Sequence, residues 1–118
     1  MFVGIENIGD MAVFSCKGDI VRSEAACKLR EAVTSQTSAR VIVIDLTEVH
    51  AIEGDGLDML SGLQRWAFDQ NIQLKLFSPS ASVRNRLEHN ESMQFDIARF
   101  TEMIALLADA ESHRLKAA

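Results

Sequence analysis

Acidic side chains and two glycines lie close together in residues 50–60, HAIEGDGLDML, between a strand-like and a helix-like segment. Between Arg40 and Arg65 the chain has five acids and no Lys or Arg: Asp45, Glu48, Glu53, Asp55 and Asp58. Carboxylates at this density can transfer protons in catalysis or coordinate a hard divalent cation. Which use the sequence supports depends on the residues around them and on their spacing.

The residue types around these acids argue against catalysis. His50 and Glu53 could take part in acid–base chemistry, but serines such as Ser61 have no partnered base that would make them nucleophiles. The spacing of Asp45, Glu53 and Asp55 fits neither an EF-hand loop nor a zinc signature, and the glycines lack the Lys-Ser/Thr of a phosphate loop. We therefore predict a protein that is not an enzyme and that uses no metal and no cofactor.

A structural role accounts for much of the same stretch. Asp55 is suited to cap a helix through its carboxylate, and Asp58 follows where an acid complements the helix dipole. Gly54 and Gly56 are typical of a sharp turn, because glycine permits a positive φ or a close approach of backbone. The sequence leaves open whether the acids serve only this turn or also a partner.

Composition restricts the class of protein. With 118 residues, 47% of them hydrophobic, residues 1–118 are expected to form a single globular domain. The net charge of -5 opposes binding to nucleic acid or to an anionic membrane. The longest apolar run, residues 103–108, is far shorter than the roughly 20 residues that span a bilayer, so we expect no membrane insertion. The opening MFVGIENIGD lacks a basic leader, and we expect a cytoplasmic protein with Cys16 and Cys27 reduced.

Periodicity along the chain predicts alternating strands and helices. The β-branched run 41–44 is typical of a central strand covered on both faces. The other predicted elements are a hairpin of strands 2–8 and 11–17 around Gly9-Asp10, a helix capped by Ser23 and ending near 34–38, a helix from Leu57, a strand at 72–77, a helix introduced by Pro79 and Ser80, a strand at 93–99, and a helix from Thr101.

The predicted fold class is therefore α/β, a mixed sheet with helices packed on it. Its element order is β-β-α-β-α-β-α-β-α, and its second half is parallel. In such sheets the loops that leave the carboxyl ends of parallel strands meet the amino ends of helices, and binding residues usually lie there. These loops are residues 46–56 and 78–80.

Three segments in this order resemble the STAS domain family, named for sulfate transporters and anti-sigma-factor antagonists. They are CKGDI at residues 16–20, VIVIDLTEVHAIEGDGLDML at 41–60, and IQLKLFSPSASVRNRLE at 72–88. The resemblance covers nearly the whole chain and implies a single STAS-like domain with a mixed sheet. It also implies a bacterial regulator that works in signalling and transcription by binding a protein.

The sequence departs from this family at the turn that matters most for regulation. In the antagonists that it resembles, an Asp-Ser-Ser-Gly turn opens the second helix, and a kinase that is also the anti-sigma factor phosphorylates the second serine. Here the corresponding residues are Glu53, Gly54, Asp55 and Gly56, so Asp55 occupies the phosphoacceptor-equivalent position. Two further departures are Val21, where many antagonists have an aspartate, and Asn90-Glu91, where the family often has a glycine.

The resemblance leads to one functional hypothesis and two alternatives. The hypothesis is a non-catalytic domain that binds an anti-sigma factor or a serine kinase-like regulator through Asp19, Ile20, Glu53, Gly54, Asp55, Gly56, Leu57 and Asp58. The alternatives are an accessory subunit of a membrane transport ATPase and a domain that binds a small molecule. The sequence leaves open whether the protein forms a homodimer.

Overall fold

A computed structural model describes residues 2–89 and 94–117 and contains five strands and four helices in this part of the chain. The strands are β1 (Phe2–Ile8), β2 (Met11–Lys17), β3 (Val41–Glu48), β4 (Gln73–Phe77) and β5 (Ile97–Ala98). The helices are α1 (Ser23–Thr34), α2 (Asp55–Asp69), α3 (Ala81–Glu88) and α4 (Phe100–Ala117). The predicted order of elements and the α/β fold class are confirmed.

The sheet has the spatial order β1-β2-β3-β4-β5. β1 pairs antiparallel with β2, and the three remaining pairs are parallel, as predicted. Gly9 turns the hairpin with a φ of 58°, which glycine adopts without a steric penalty. β3 lies at the centre, and Ile42, Val43 and Ile44 are all buried because helices cover both faces of the sheet.

Alternate residues of the central strands point into two separate cores. Ile42, Ile44 and Leu46 lie in the larger core, which α1, α2 and α3 complete with buried residues such as Leu29 and Leu63. Val43 and Met11 point to the opposite face, where Met103 and Ala110 of α4 cover them. The helices α1, α2 and α3 therefore pack together on one face of the sheet, and this packing positions the N-terminal end of α2.

Several predicted boundaries are wrong by a few residues. Ser23 is the first residue of α1 instead of its cap; the cap position is Arg22, and no side chain caps it. α2 begins two residues before Leu57. Ser80 does cap α3, because its hydroxyl accepts a hydrogen bond from the backbone N–H of Val83 at 3.3 Å. Within the described part of the predicted strand 93–99, only Ile97 and Ala98 are strand; Asn90-Glu91 and Met93 lie outside the described residues.

The two thiols lie in contrasting environments. Cys16 is buried in the larger core, and Cys27 is exposed on α1. Burial raises the pKa of the Cys16 thiol from 9.0 to about 12, and the neighbouring Asp45 carboxylate adds to this rise. Because the thiolate is the reactive form, Cys16 is protected both sterically and chemically.

We expect an alkylating reagent at mildly alkaline pH to modify Cys27 alone in the folded protein, and Cys16 only after denaturation. Mass spectrometry of the adducts would check this, with Cys27→Ser as the control that stays unmodified while folded. Equal labelling rates for the two thiols in the native state would contradict the expectation.

The same raised pKa of Cys16 makes stability depend on pH. The neutral Cys16 thiol favours folding below pH 9, and this contribution is lost as the pH rises towards 12.

Candidate functional site

Residues 53–58, named here the acidic turn, are held in place by a short parallel contact between two loops. Ile20 and Ile52 form an isolated β-bridge. The N–H of Ile20 donates to the carbonyl of Ala51 at 2.9 Å, and the N–H of Glu53 donates to the carbonyl of Ile20 at 3.3 Å. The connection from β2 to α1 is thereby joined to the connection from β3 to α2.

Each glycine of the acidic turn meets a different physical requirement. Gly54 has a φ of 51°, a left-handed conformation in which a side chain would be strained, although the space beside it is open. Gly56 is buried, and a Cβ built on it would lie 2.0 Å from the carbonyl oxygen of Ile20. The positive φ and the close backbone approach that the sequence suggested are therefore divided between the two glycines.

The five acids that are close in sequence separate in the structure. Asp45 accepts hydrogen bonds from the backbone N–H and the hydroxyl of Thr47. The other two acids that have partners are Glu48, which lies 3.5 Å from Lys17, and Glu53, which pairs with Arg86 of α3. In the described part of the chain, no group of three or more His, Cys, Asp or Glu side chains is arranged to hold a metal ion.

Asp55 and Asp58 are the acids of the first turn of α2, and both are exposed. The interpretation of Asp55 as the N-cap is wrong, because the helix already begins at Asp55 and the cap position belongs to Gly54. Neither carboxylate takes part in the ion pairs that the described residues form. Both carboxylates therefore remain available at the positive end of the helix dipole.

The other residues predicted for the contact surface differ in accessibility. Asp19 is exposed beside the acidic turn, and Leu57 is half-buried and packs against the larger core. Ile20 is fully buried, so its side chain supports the turn from beneath and does not itself face a partner. Val21, which follows it, is 38% exposed.

Two grooves run along α2, one on each side. The α1–α2 groove has a volume of about 320 Å³ and is lined by Ser23, Ala26, Cys27, Arg30, Asp55, Asp58, Met59 and Gly62. The α2–α3 groove has a volume of about 540 Å³ and is lined by Gly54, Leu57, Asp58, Ser61, Gly62, Arg65, Arg86 and His89. Sequence reasoning missed the basic residues of both grooves: Arg30 of α1 and Arg86 of α3 are distant from the acidic turn in the chain, and Arg65 lies further along α2.

Comparison with known proteins identifies the fold. A family model described as the STAS domain matches residues 3–109. The anti-sigma factor antagonist SpoIIAA in its unphosphorylated form superposes with a TM-score of 0.70 at 16% identity, covering 92% of this chain and 97% of its own. RsbS of Moorella thermoacetica, in a serine-to-glutamate variant, gives 0.70 at 13% identity over 91% and 95% of the two chains.

A third structure, an anti-sigma factor antagonist from Mycobacterium paratuberculosis, gives a TM-score of 0.70 at 15% identity over 92% of this chain and 94% of that one. No curated protein sequence matches the chain. Among the described helices, none combines the length and the hydropathy needed to cross a bilayer.

We expect Gly56→Ala to destabilise the protein by at least about 2 kcal/mol, because the added methyl group would overlap the backbone of Ile20. Gly62→Ala, later in the same helix, is the matched control: it has open space and should stabilise the protein by roughly 0.5–1 kcal/mol. Urea unfolding of the two variants measures the difference. A Gly56→Ala protein as stable as the wild type would show that the contact between Ile20 and α2 is looser than the structure has it.

Proposed function

The chain belongs to the STAS domain family, and from this premise we propose that it is a non-catalytic regulatory domain that binds a protein partner through its acidic turn. Two of the three structures compared above are anti-sigma-factor antagonists, which favours a regulatory role. The partner class that we propose is an anti-sigma factor or a serine kinase-like regulator.

The observation that carries this proposal is the placement of Asp55 and Asp58. Both carboxylates are exposed at the first turn of α2, while Asp45, Glu48 and Glu53 have partners within the chain. The turn that presents them is fixed by hydrogen bonds to Ile20, so little conformational freedom is lost when a partner binds. A rigid negative surface of this kind favours a partner with a basic or hydrogen-bond-donating patch.

The α1–α2 groove extends this surface beyond the two carboxylates. Ala26, Met59 and Gly62 contribute apolar lining, and the charged residues of the lining are Asp55, Asp58 and Arg30. A lysine or arginine side chain of a partner could place its aliphatic part against this apolar lining and its charged end near the two carboxylates, away from Arg30. We therefore place the centre of the partner interface at the start of α2 and on its α1 side.

Asp55 sets the form of regulation in this proposal. We propose that it occupies the position equivalent to the phosphorylatable serine of the related antagonists, and a carboxylate offers a kinase no hydroxyl. Its charge of about -1 is permanent, whereas a phosphate brings about -1.5 to -2 and can be removed. We infer that this surface keeps one charge state and that its occupancy is controlled by the amount or state of the partner.

Asp55→Asn should weaken partner binding by roughly tenfold, because it removes one of the two exposed charges at the centre of the interface. The partner would first be isolated from the native host by affinity capture, and its dissociation constant then measured by calorimetry. Asp69→Asn is the matched control, since Asp69 is an exposed acid at the opposite end of the same helix. An equal loss of affinity in both variants would assign the effect to net charge and not to this surface.

Asp55→Ser tests the inferred equivalence to the phosphoacceptor serine. If the partner is a serine kinase, we expect this variant to take up phosphate at residue 55 while the wild type takes up none. Phosphate incorporation and partner affinity would be measured on the same samples. A variant that is not phosphorylated and binds with unchanged affinity would show that position 55 has no role in a switch.

A further inference from the structure

The two edges of the sheet differ in how they are protected against pairing with another strand. One edge is β5, which has only two residues, and a very short edge strand offers little backbone for pairing. The other edge is β1, which has seven residues with the sequence FVGIENI. Among the described strands, β1 pairs with β2 alone.

β1 also lacks the residues that usually block an edge. It contains no lysine and no proline, and its pairing with β2 runs without a register shift; the irregularity in the described sheet lies between β2 and β3. Phe2 is 61% exposed and Ile5 is 47% exposed, so the strand presents large apolar side chains as well as backbone. These features are those of a strand that pairs with another chain.

The hairpin determines which backbone groups of β1 point outwards. In a two-residue hairpin the closing pair, here Ile8 and Met11, exchanges hydrogen bonds, and hydrogen-bonded pairs then recur at every second residue. The N–H and C=O groups of Val3, Ile5 and Asn7 therefore point away from β2. None of them takes part in the backbone hydrogen bonds of turns and loops among the described residues.

We propose that β1 pairs with β1 of a second copy of this chain, antiparallel and centred on Ile5, so that the two sheets become continuous. In this register Ile5 lies opposite Ile5 of the other copy, and Val3 lies opposite Asn7. All three outward-facing residues of each copy then take part in hydrogen-bonded pairs. A symmetric register centred on Val3 or on Asn7 would leave part of this backbone without a partner.

The side chains of β1 are complementary in the same register. Glu6 is the only charged residue of the strand, and it falls opposite Gly4 of the other copy, so no like charges are directly opposed. Phe2 falls opposite Ile8, an aromatic and β-branched pair of the kind that stabilises antiparallel strands. The self-complementary register, in which every outward-facing residue has a hydrogen-bonding partner and no like charges are directly opposed, is what favours a second copy of this chain.

Sedimentation equilibrium of the full chain over a wide range of concentrations tests the proposal. We expect a monomer–dimer equilibrium in the wild type, and we expect Ile5→Lys to raise its dissociation constant by at least about tenfold, because it sets like charges directly opposite each other. Phe68→Lys is the matched control, since Phe68 is 81% exposed on α2, and it should dimerise like the wild type. Circular dichroism establishes that both variants are folded.

Cross-linking tests the register, in a Cys27→Ser background that removes the exposed thiol. Ile5→Cys places two thiols opposite each other across the two-fold axis, within the distance that a disulfide spans, and should give a covalent dimer under mild oxidation. Asn7→Cys places its thiol opposite Val3 and should not. A wild type that stays monomeric at every concentration, a dimer that survives Ile5→Lys, or equal cross-linking of the two cysteine variants would overturn the proposal.

Discussion

The contact between the backbone of Ile20 and the start of α2 determines the geometry of this end of the molecule. The carbonyl of Ile20 accepts a hydrogen bond from Glu53 and lies where a side chain on residue 56 would have to be. Only glycine satisfies that constraint, and once it is satisfied the first turn of α2 is fixed relative to β2. The direction in which Asp55 and Asp58 project follows from this contact.

The sheet also helps to fix the position of the acidic turn. β3 carries the chain to Ile52 through a core in which Ile42 and Ile44 are fully buried. Lys17 of the neighbouring strand β2 pairs with Glu48 at the end of β3, and Arg86 of α3 pairs with Glu53 in the acidic turn. Because exposed ion pairs of this type contribute little to stability, their main effect here is to orient side chains around the turn.

Much of the fold could be predicted from the sequence because the local signals were strong. The β-branched run 41–44 identified the central strand, and Gly9-Asp10 identified the hairpin. The acids of the turn were harder, since their partners Lys17 and Arg86 are distant in the chain and no local pattern reveals such pairing. Residue type favours Asp55 as the cap of α2, but the helix already begins at Asp55, and Gly54 occupies the cap position with a φ of 51°. The short strand β5 was overestimated because pairing, and not propensity, sets strand length.

Gly62 lines both grooves beside α2, and no heavy atom outside its own helix lies near the side where a Cβ would be. At this turn the helix has no side chain that separates the two grooves, so the grooves meet over exposed helix backbone. An extended polypeptide crossing there would pass Asp58, which lines both grooves, with Arg30 on the α1 side and Arg65 and Arg86 on the α3 side.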